Sequence, residues 1–173
     1  MRFLTIFDTV SRWIAGLAAL LVFGIAALII SEVIARSVFS ASLSFAWEYA
    51  AYFYGCAVFL GAAYTMRTGG HVRVALLRGT LNTRGQHIME IAATAVGAAF
   101  SIYLAFAMIQ FALRSYSRGS TSPTIEATPL AIPQGVIALG ATLLALQMVV
   151  RLIRLFAGEP AEDDAIREKY TVE

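Results

Sequence analysis

Side chains able to do chemistry are few in this chain, and their positions restrict what they can do. Glu32 precedes Arg36 by four residues, so on a helix the two share a face and pair, acid before base. The same Glu32 is the carboxylate that comes nearest to the middle of an apolar run. Proton exchange across a membrane needs an ionisable group deep in the hydrocarbon, and Glu32 falls within the last turn or so of its run. An ion pair is therefore expected in preference to an ion site. Trp47 and Glu48 stand together at the head of another apolar stretch, where an indole anchors at a membrane interface and an acid suits a helix N-terminus. The two histidines, His71 and His87, fall in a connection and not on facing helices, so neither is placed to hold haem. Without a cysteine or carboxylate cluster beside them they make a poor zinc site. Cys56 has no second cysteine with which to form a disulfide. No phosphate loop, nucleophile elbow or carboxylate pair is present, so no catalytic residue, cofactor or metal is expected and the chain does not read as an enzyme.

The elements that must position these residues are membrane spans. Of 173 residues, 59% are hydrophobic and 14% charged, against roughly 45–50% and 25% in soluble domains. This balance excludes a disordered chain, a nucleic-acid binder and a disulfide scaffold. A spanning helix needs about 20 mostly apolar residues. Four stretches free of charge qualify: Trp13–Ser31, extending to Ala35, then Tyr49–Met66, Ile91–Leu113 and Ala127–Val150. The expected fold is an all-α integral membrane protein with four transmembrane helices, at about 13–35, 49–66, 91–113 and 129–150. The first run, 19 uncharged residues, is too long for a signal-peptide core, which argues for a retained anchor. Residues 1–158 form the membrane domain, and 159–173, with a balance of −4, an acidic cytoplasmic tail.

Arginine placement orients the spans. With both termini cytoplasmic, ten basic residues lie inside and three (Arg36, Arg114 and Arg118) outside, so an N-in, C-in topology is expected. The inner connection 67–90 is the longest and most basic, and its middle (HVRVALLRGTL) fits an interfacial helix between lipid and another protein. The first outer loop, Ser37–Trp47, is apolar and reads as lying in the interface; the second, Ser115–Thr128, is polar and turn-rich. Pro129 and Pro133 suit the start of the last helix. Small residues recur every fourth position at Ala93, Gly97, Ser101 and Ala105, a stripe along which a neighbouring helix can approach closely.

The stretch Glu32–Val74 resembles the small membrane subunit of TRAP transporters, the DctQ-like family. The matching elements are Arg36 with Phe39, Trp47–Glu48, Phe59–Leu60–Gly61–Ala62, and the block Arg67–Thr68–Gly69–Gly70–His71–Val72–Arg73–Val74. Ser122–Pro123, Pro129–Leu130, Ile132–Pro133 and Leu139–Gly140 resemble the family's approach to its last span. The resemblance covers roughly residues 13–155. It implies a multi-pass subunit of the bacterial inner membrane in a tripartite, sodium-driven uptake system for organic acids. Its implied partners are a large DctM-like membrane subunit, a periplasmic substrate-binding protein and membrane lipids, with no nucleic acid. The small subunit would brace the large one and help dock the receptor.

On that basis Arg36 and Glu48 are expected to pair and fix the first hairpin, with Trp47 beside them. Segments 37–47 and 115–128 would face the receptor. Arg67, His71, Arg73 and Arg78 would lie at the cytoplasmic interface, against lipid phosphates and the large subunit. The competing reading is an autonomous small multidrug-type proton-coupled exporter, which would need Glu32 near mid-membrane.

Overall fold

The computed structural model describes residues 2–68 and 82–158. Four helices follow in order: α1 (Arg2–Phe39), α2 (Phe45–Arg67), α3 (Thr83–Ser117) and α4 (Ala131–Ala157). The expected interfacial helix after α2 falls largely at residues 69–81, and the acidic tail at 159–173; both lie outside the described residues.

The helices are longer than the uncharged runs. At 1.5 Å per residue, α1 with 38 residues and α3 with 35 extend about 57 and 52 Å, well past the ~30 Å hydrocarbon core. A charged side chain does not stop a helix; loss of hydrogen-bonded geometry does. Ser40 ends α1 by taking φ +49°, and Asn82 starts α3 with its side chain accepting from the Gly85 N–H at 2.8 Å. Gly158 closes α4 in the left-handed conformation, φ +70°. The expected apolar loop Ser37–Trp47 thereby shrinks to residues 40–44.

Three of the helices are long and apolar enough to cross a membrane: Val10–Phe39, Arg84–Ser117 and Ala131–Ala157. Helix α2 is not among them. Its 23 residues would reach about 34 Å, but Tyr49, Tyr52, Tyr54 and Tyr64 lower its hydropathy.

Packing places the helices in a row, α1 on α2, α2 on α4 and α4 on α3. Neighbouring pairs fix the directions. A Cβ on Gly24 would meet the Phe53 ring at 3.2 Å and one on Gly61 would meet Ala18 at 3.8 Å, so α1 and α2 are antiparallel. Gly55 faces Ile137 and Gly140 faces Phe59, so α2 and α4 run parallel. Gly97 faces Met148 while Thr94 meets Arg151, so α3 and α4 are antiparallel.

Helix α4 sits inside the row and needs two packing faces. Pro133, Gly140, Gln147 and Arg154 recur every seven residues and are all buried, a spacing that returns to nearly the same side of a helix. Its other face puts Ala141 and Ala145 in a cluster with Ala105 of α3, covered by Phe59 and Met108. Helix α1 has one face only. Ser11, Ile14, Ala18, Leu21, Ile25, Leu28 and Glu32 alternate spacings of three and four and are buried or half-buried, the pattern of a coiled-coil seam. Its remaining surface from Val10 onward is mostly open, with Trp13 76% and Phe23 74% exposed.

The expected stripe on α3 is displaced. Gly97, Ser101 and Ala105 do turn inward, but Ala93 is exposed and Thr94 is buried in its place. Four residues exceed one 3.6-residue turn, so a strict fourfold spacing winds around the helix, whereas the set Thr94, Ala98, Ser101, Ala105 stays on one side.

Candidate functional site

Four of the residues singled out by sequence, Glu32, Arg36, Trp47 and Glu48, lie at one end of the row, where the α1–α2 turn meets the 118–130 segment. The Glu32 carboxylate is the centre of the turn. Helix periodicity brings Arg36 over it, and the guanidinium bonds its Oε1 through Nη2, and through Nε at 3.2 Å. Ser42 Oγ donates to the same oxygen at 2.9 Å, and the Leu43 N–H to Oε2 at 2.5 Å. Glu32 is 2% exposed. A buried carboxylate with several donors is satisfied in place, and here it holds α1, the turn and the approach to α2 together.

Arg36 and Glu48 do not pair. Arg36 is drawn back along its own helix to Glu32 and Ser42, as the four-residue spacing alone indicates. Glu48 turns instead to the other connection: Thr124 Oγ1 donates to its Oε2, and Tyr52 OH, one turn on, donates to Oε1 at 2.8 Å. The Thr124 hydroxyl, helped by that of Tyr52 against the cost of desolvation, pulls the Glu48 carboxyl down to about 2. Ser44 Oγ adds a second link by donating to Glu126 at 2.7 Å. Both acids sit beside the first turn of α2, where the helix dipole favours negative charge.

The 118–130 segment is itself closely tied. The Ser122 N–H donates to the Thr128 carbonyl at 2.9 Å and the Leu130 N–H to Ser120 at 3.0 Å, around an isolated bridge between Thr121 and Pro129. Ser122 and Thr124 share a hydroxyl hydrogen bond of 2.7 Å. Ala127 adopts φ +46°, a conformation that costs a non-glycine residue about 1 kcal/mol or more and that these bonds hold in place. At the apex Ile125 is 92% exposed.

Of the remaining sequence candidates, Trp47 is 63% exposed and Arg67 is the last residue of α2. His71, Arg73 and Arg78 lie outside the described residues. Among the described residues no three His, Cys, Asp or Glu side chains come together as a metal site.

Sequence reasoning missed a second polar centre at the far end of the row. Arg151 of α4, only 6% exposed, donates through Nη2 to Glu90 of α3 at 2.9 Å and through Nε to Thr94 at 3.4 Å. In the sequence both ionic residues simply flank uncharged runs, Glu90 before Ile91 and Arg151 after Val150. The signal that could have found them is that Glu90 and Thr94 lie one turn apart, as do Gln147 and Arg151. Gln147 is 2% exposed and belongs to the seven-residue series that faces α2.

A row of apolar helices with polar groups tied at both ends, and with most of α1 uncovered, is the architecture of a membrane protein. The family model for tripartite ATP-independent periplasmic transporters, DctQ component, matches residues 25–158, and the chain belongs to that family. It is thus a component of a TRAP transporter, in a transporter family and not an enzyme family, and such components operate with a large membrane subunit and a binding protein. No curated protein and no solved structure matches the chain.

Proposed function

We propose that this chain is the small membrane subunit of a sodium-driven uptake system for organic acids, bracing the large transport subunit and helping to dock the periplasmic receptor. All four helices cross the bacterial inner membrane in this reading, with both termini cytoplasmic and the 40–44 and 118–130 segments outside. Length supports α2 as the fourth span, and burial between α1 and α4 relieves it of facing lipid all round. The arginine bias supports the orientation.

The observation that carries the bracing role is the one-sided packing of α1. Only the seam through Ala18 and Glu32 is buried, and lipid gives helices no hydrophobic reason to associate beyond good packing. A large partner can therefore cover the open side of the row without disturbing the contacts within it. Docking is supported by the braced 118–130 segment, which presents Ile125 on a framework already fixed by Glu48 and Glu126, so little ordering entropy is lost on contact. Arg36, Trp47 and Glu48 act in this reading by shaping that outer end, and Arg67, His71, Arg73 and Arg78 by meeting lipid phosphate and the large subunit inside. Glu32, held by Arg36, Ser42 and Leu43, is spoken for as a structural acid, which counts against the proton-coupled exporter.

The test is purification of the tagged chain from its native membrane in mild detergent, with mass spectrometry of what accompanies it. A large polytopic protein in stoichiometric amount is expected. Recovery of the chain alone, or only as a homodimer, would overturn the proposal.

A further inference from the structure

Beside the first turns of α2 a cleft of about 390 Å³ opens between α1 and α2, lined by Leu28, Phe45, Tyr49, Phe53 and Glu126. Its walls are one aliphatic and three aromatic side chains, with Phe45 and Tyr49 set edge to face at 6.2 Å. Its one charged lining group is the Glu126 carboxylate, at the end formed by the 118–130 segment. From Phe45 to Phe53 the lining descends eight residues along α2, about 12 Å. That is close to the ~15 Å of one leaflet, half the hydrocarbon core.

We infer that this cleft binds a phospholipid of the outer leaflet carrying an amine headgroup, its acyl chain against Leu28, Phe45 and Phe53 and its ammonium at Glu126. The polarity profile is that of a phospholipid, polar at the rim and apolar for one leaflet's depth below it. Charge selects the headgroup. Glu126 is the charged side chain that lines the cleft, while Glu32 and Arg36 neutralise each other across their ion pair. The lining at that end of the cleft is therefore negative, which suits an ammonium better than an anionic headgroup. One Glu126 oxygen takes the Ser44 hydroxyl, which fixes the carboxylate at the rim of the cleft. Such a lipid fills the notch between α1 and α2 and reinforces their outer halves, where Gly24 lies against Phe53. The inference needs the membrane orientation proposed above but not the identity of the large subunit.

The experiment is native mass spectrometry of the full chain, alone and in its co-purified complex, from mixed micelles with equal phosphatidylethanolamine and phosphatidylglycerol. The phosphatidylethanolamine adduct is expected to exceed the phosphatidylglycerol adduct by about fivefold, the weight of one charge at a membrane surface. Glu126→Gln should bring the two adducts near parity and Glu126→Lys should favour phosphatidylglycerol. Leu28→Trp, which fills the cleft, should remove both. Equal retention of the two lipids by the unaltered chain, or a preference unmoved by Glu126→Lys, overturns the inference. So does a complex that carries no lipid because a side chain of the partner fills the cleft. Loss of the large subunit on purification would fail the proposed function and leave the lipid result standing.

Discussion

Gly140 of α4 lies directly against the main chain of Phe59 in α2: a Cβ at position 140 would stand 2.6 Å from the Phe59 carbonyl carbon and 2.8 Å from the Leu60 nitrogen. Those atoms belong to a helical backbone and cannot rotate away. Two pieces of the family resemblance, Phe59–Leu60–Gly61–Ala62 and Leu139–Gly140, are thus two sides of one contact. Their joint occurrence in the sequence has a steric cause.

Gly140→Ala is expected to separate α2 from α4 at a cost of about 1–3 kcal/mol, seen as a lower unfolding temperature in detergent and poorer recovery of the assembled transporter. Gly97→Ala should cost less. The atom its Cβ would meet at 2.9 Å is the Met148 methyl, the far end of a flexible side chain. Gly135→Ala has nothing within 4 Å and should be neutral or stabilising by up to about 1 kcal/mol through helix propensity.

At the opposite end, Glu90→Gln takes the carboxylate from a guanidinium whose side chain is 7% exposed. Breaking a buried ion pair by removing one partner costs about 3 kcal/mol, so the variant should melt earlier than the unaltered chain. A double substitution, Glu90→Gln with Arg151→Met, should recover part of the loss, because the buried charge goes with its partner. Thermal unfolding of the two variants checks both expectations.

At the α1–α2 turn the order of effects is the prediction. Arg36 is largely exposed, its side chain 62% accessible, and an exposed ion pair is worth little. Glu32 also holds Ser42 and the Leu43 N–H. Glu32→Ala should therefore destabilise the hairpin more than Arg36→Ala, as read by protease cleavage within residues 40–44. Equal effects would place the stabilisation in the ion pair alone.

Glu48 sets an acid limit on the outer end. Its carboxyl titrates at about 2 against an ordinary value of 4.5, so the folded state binds the proton less tightly than the unfolded chain. Its contribution is fully present above pH 4.5 and is lost as pH falls through about 2. Unfolding temperature should be insensitive to this group from pH 7 to 5 and decline from 4.5 downward. Glu48→Gln should flatten that decline.

Much of this architecture is legible without coordinates because it rests on local periodicity. Long uncharged runs in α1, α3 and α4 mark helices that can cross a membrane, and a four-residue spacing is enough to pair Glu32 with Arg36. Even the family follows from short motifs. Where the helices end was not legible from charge, since Ser40, Asn82 and Gly158 stop or start them through backbone conformation and capping.

Partners across the row depend on which helix lies beside which, and that is tertiary. Glu48 carries no mark that its donor is Thr124, 76 residues away, so pairing it with the nearest arginine was the natural expectation and the wrong one. The Glu90–Arg151 pair crosses 61 residues and exists because α3 and α4 run antiparallel in contact. The shift from Ala93 to Thr94 follows from the 3.6-residue period, which carries a strict fourfold spacing off the face that meets α4. The sequence determined four helices, their apolar character and the near-neighbour ion pair, because those depend on residues a turn or a run apart. Only tertiary structure decided the order α1, α2, α4, α3, the approach at Gly140 and the donors to Glu48, because each depends on surfaces that meet only when distant helices pack.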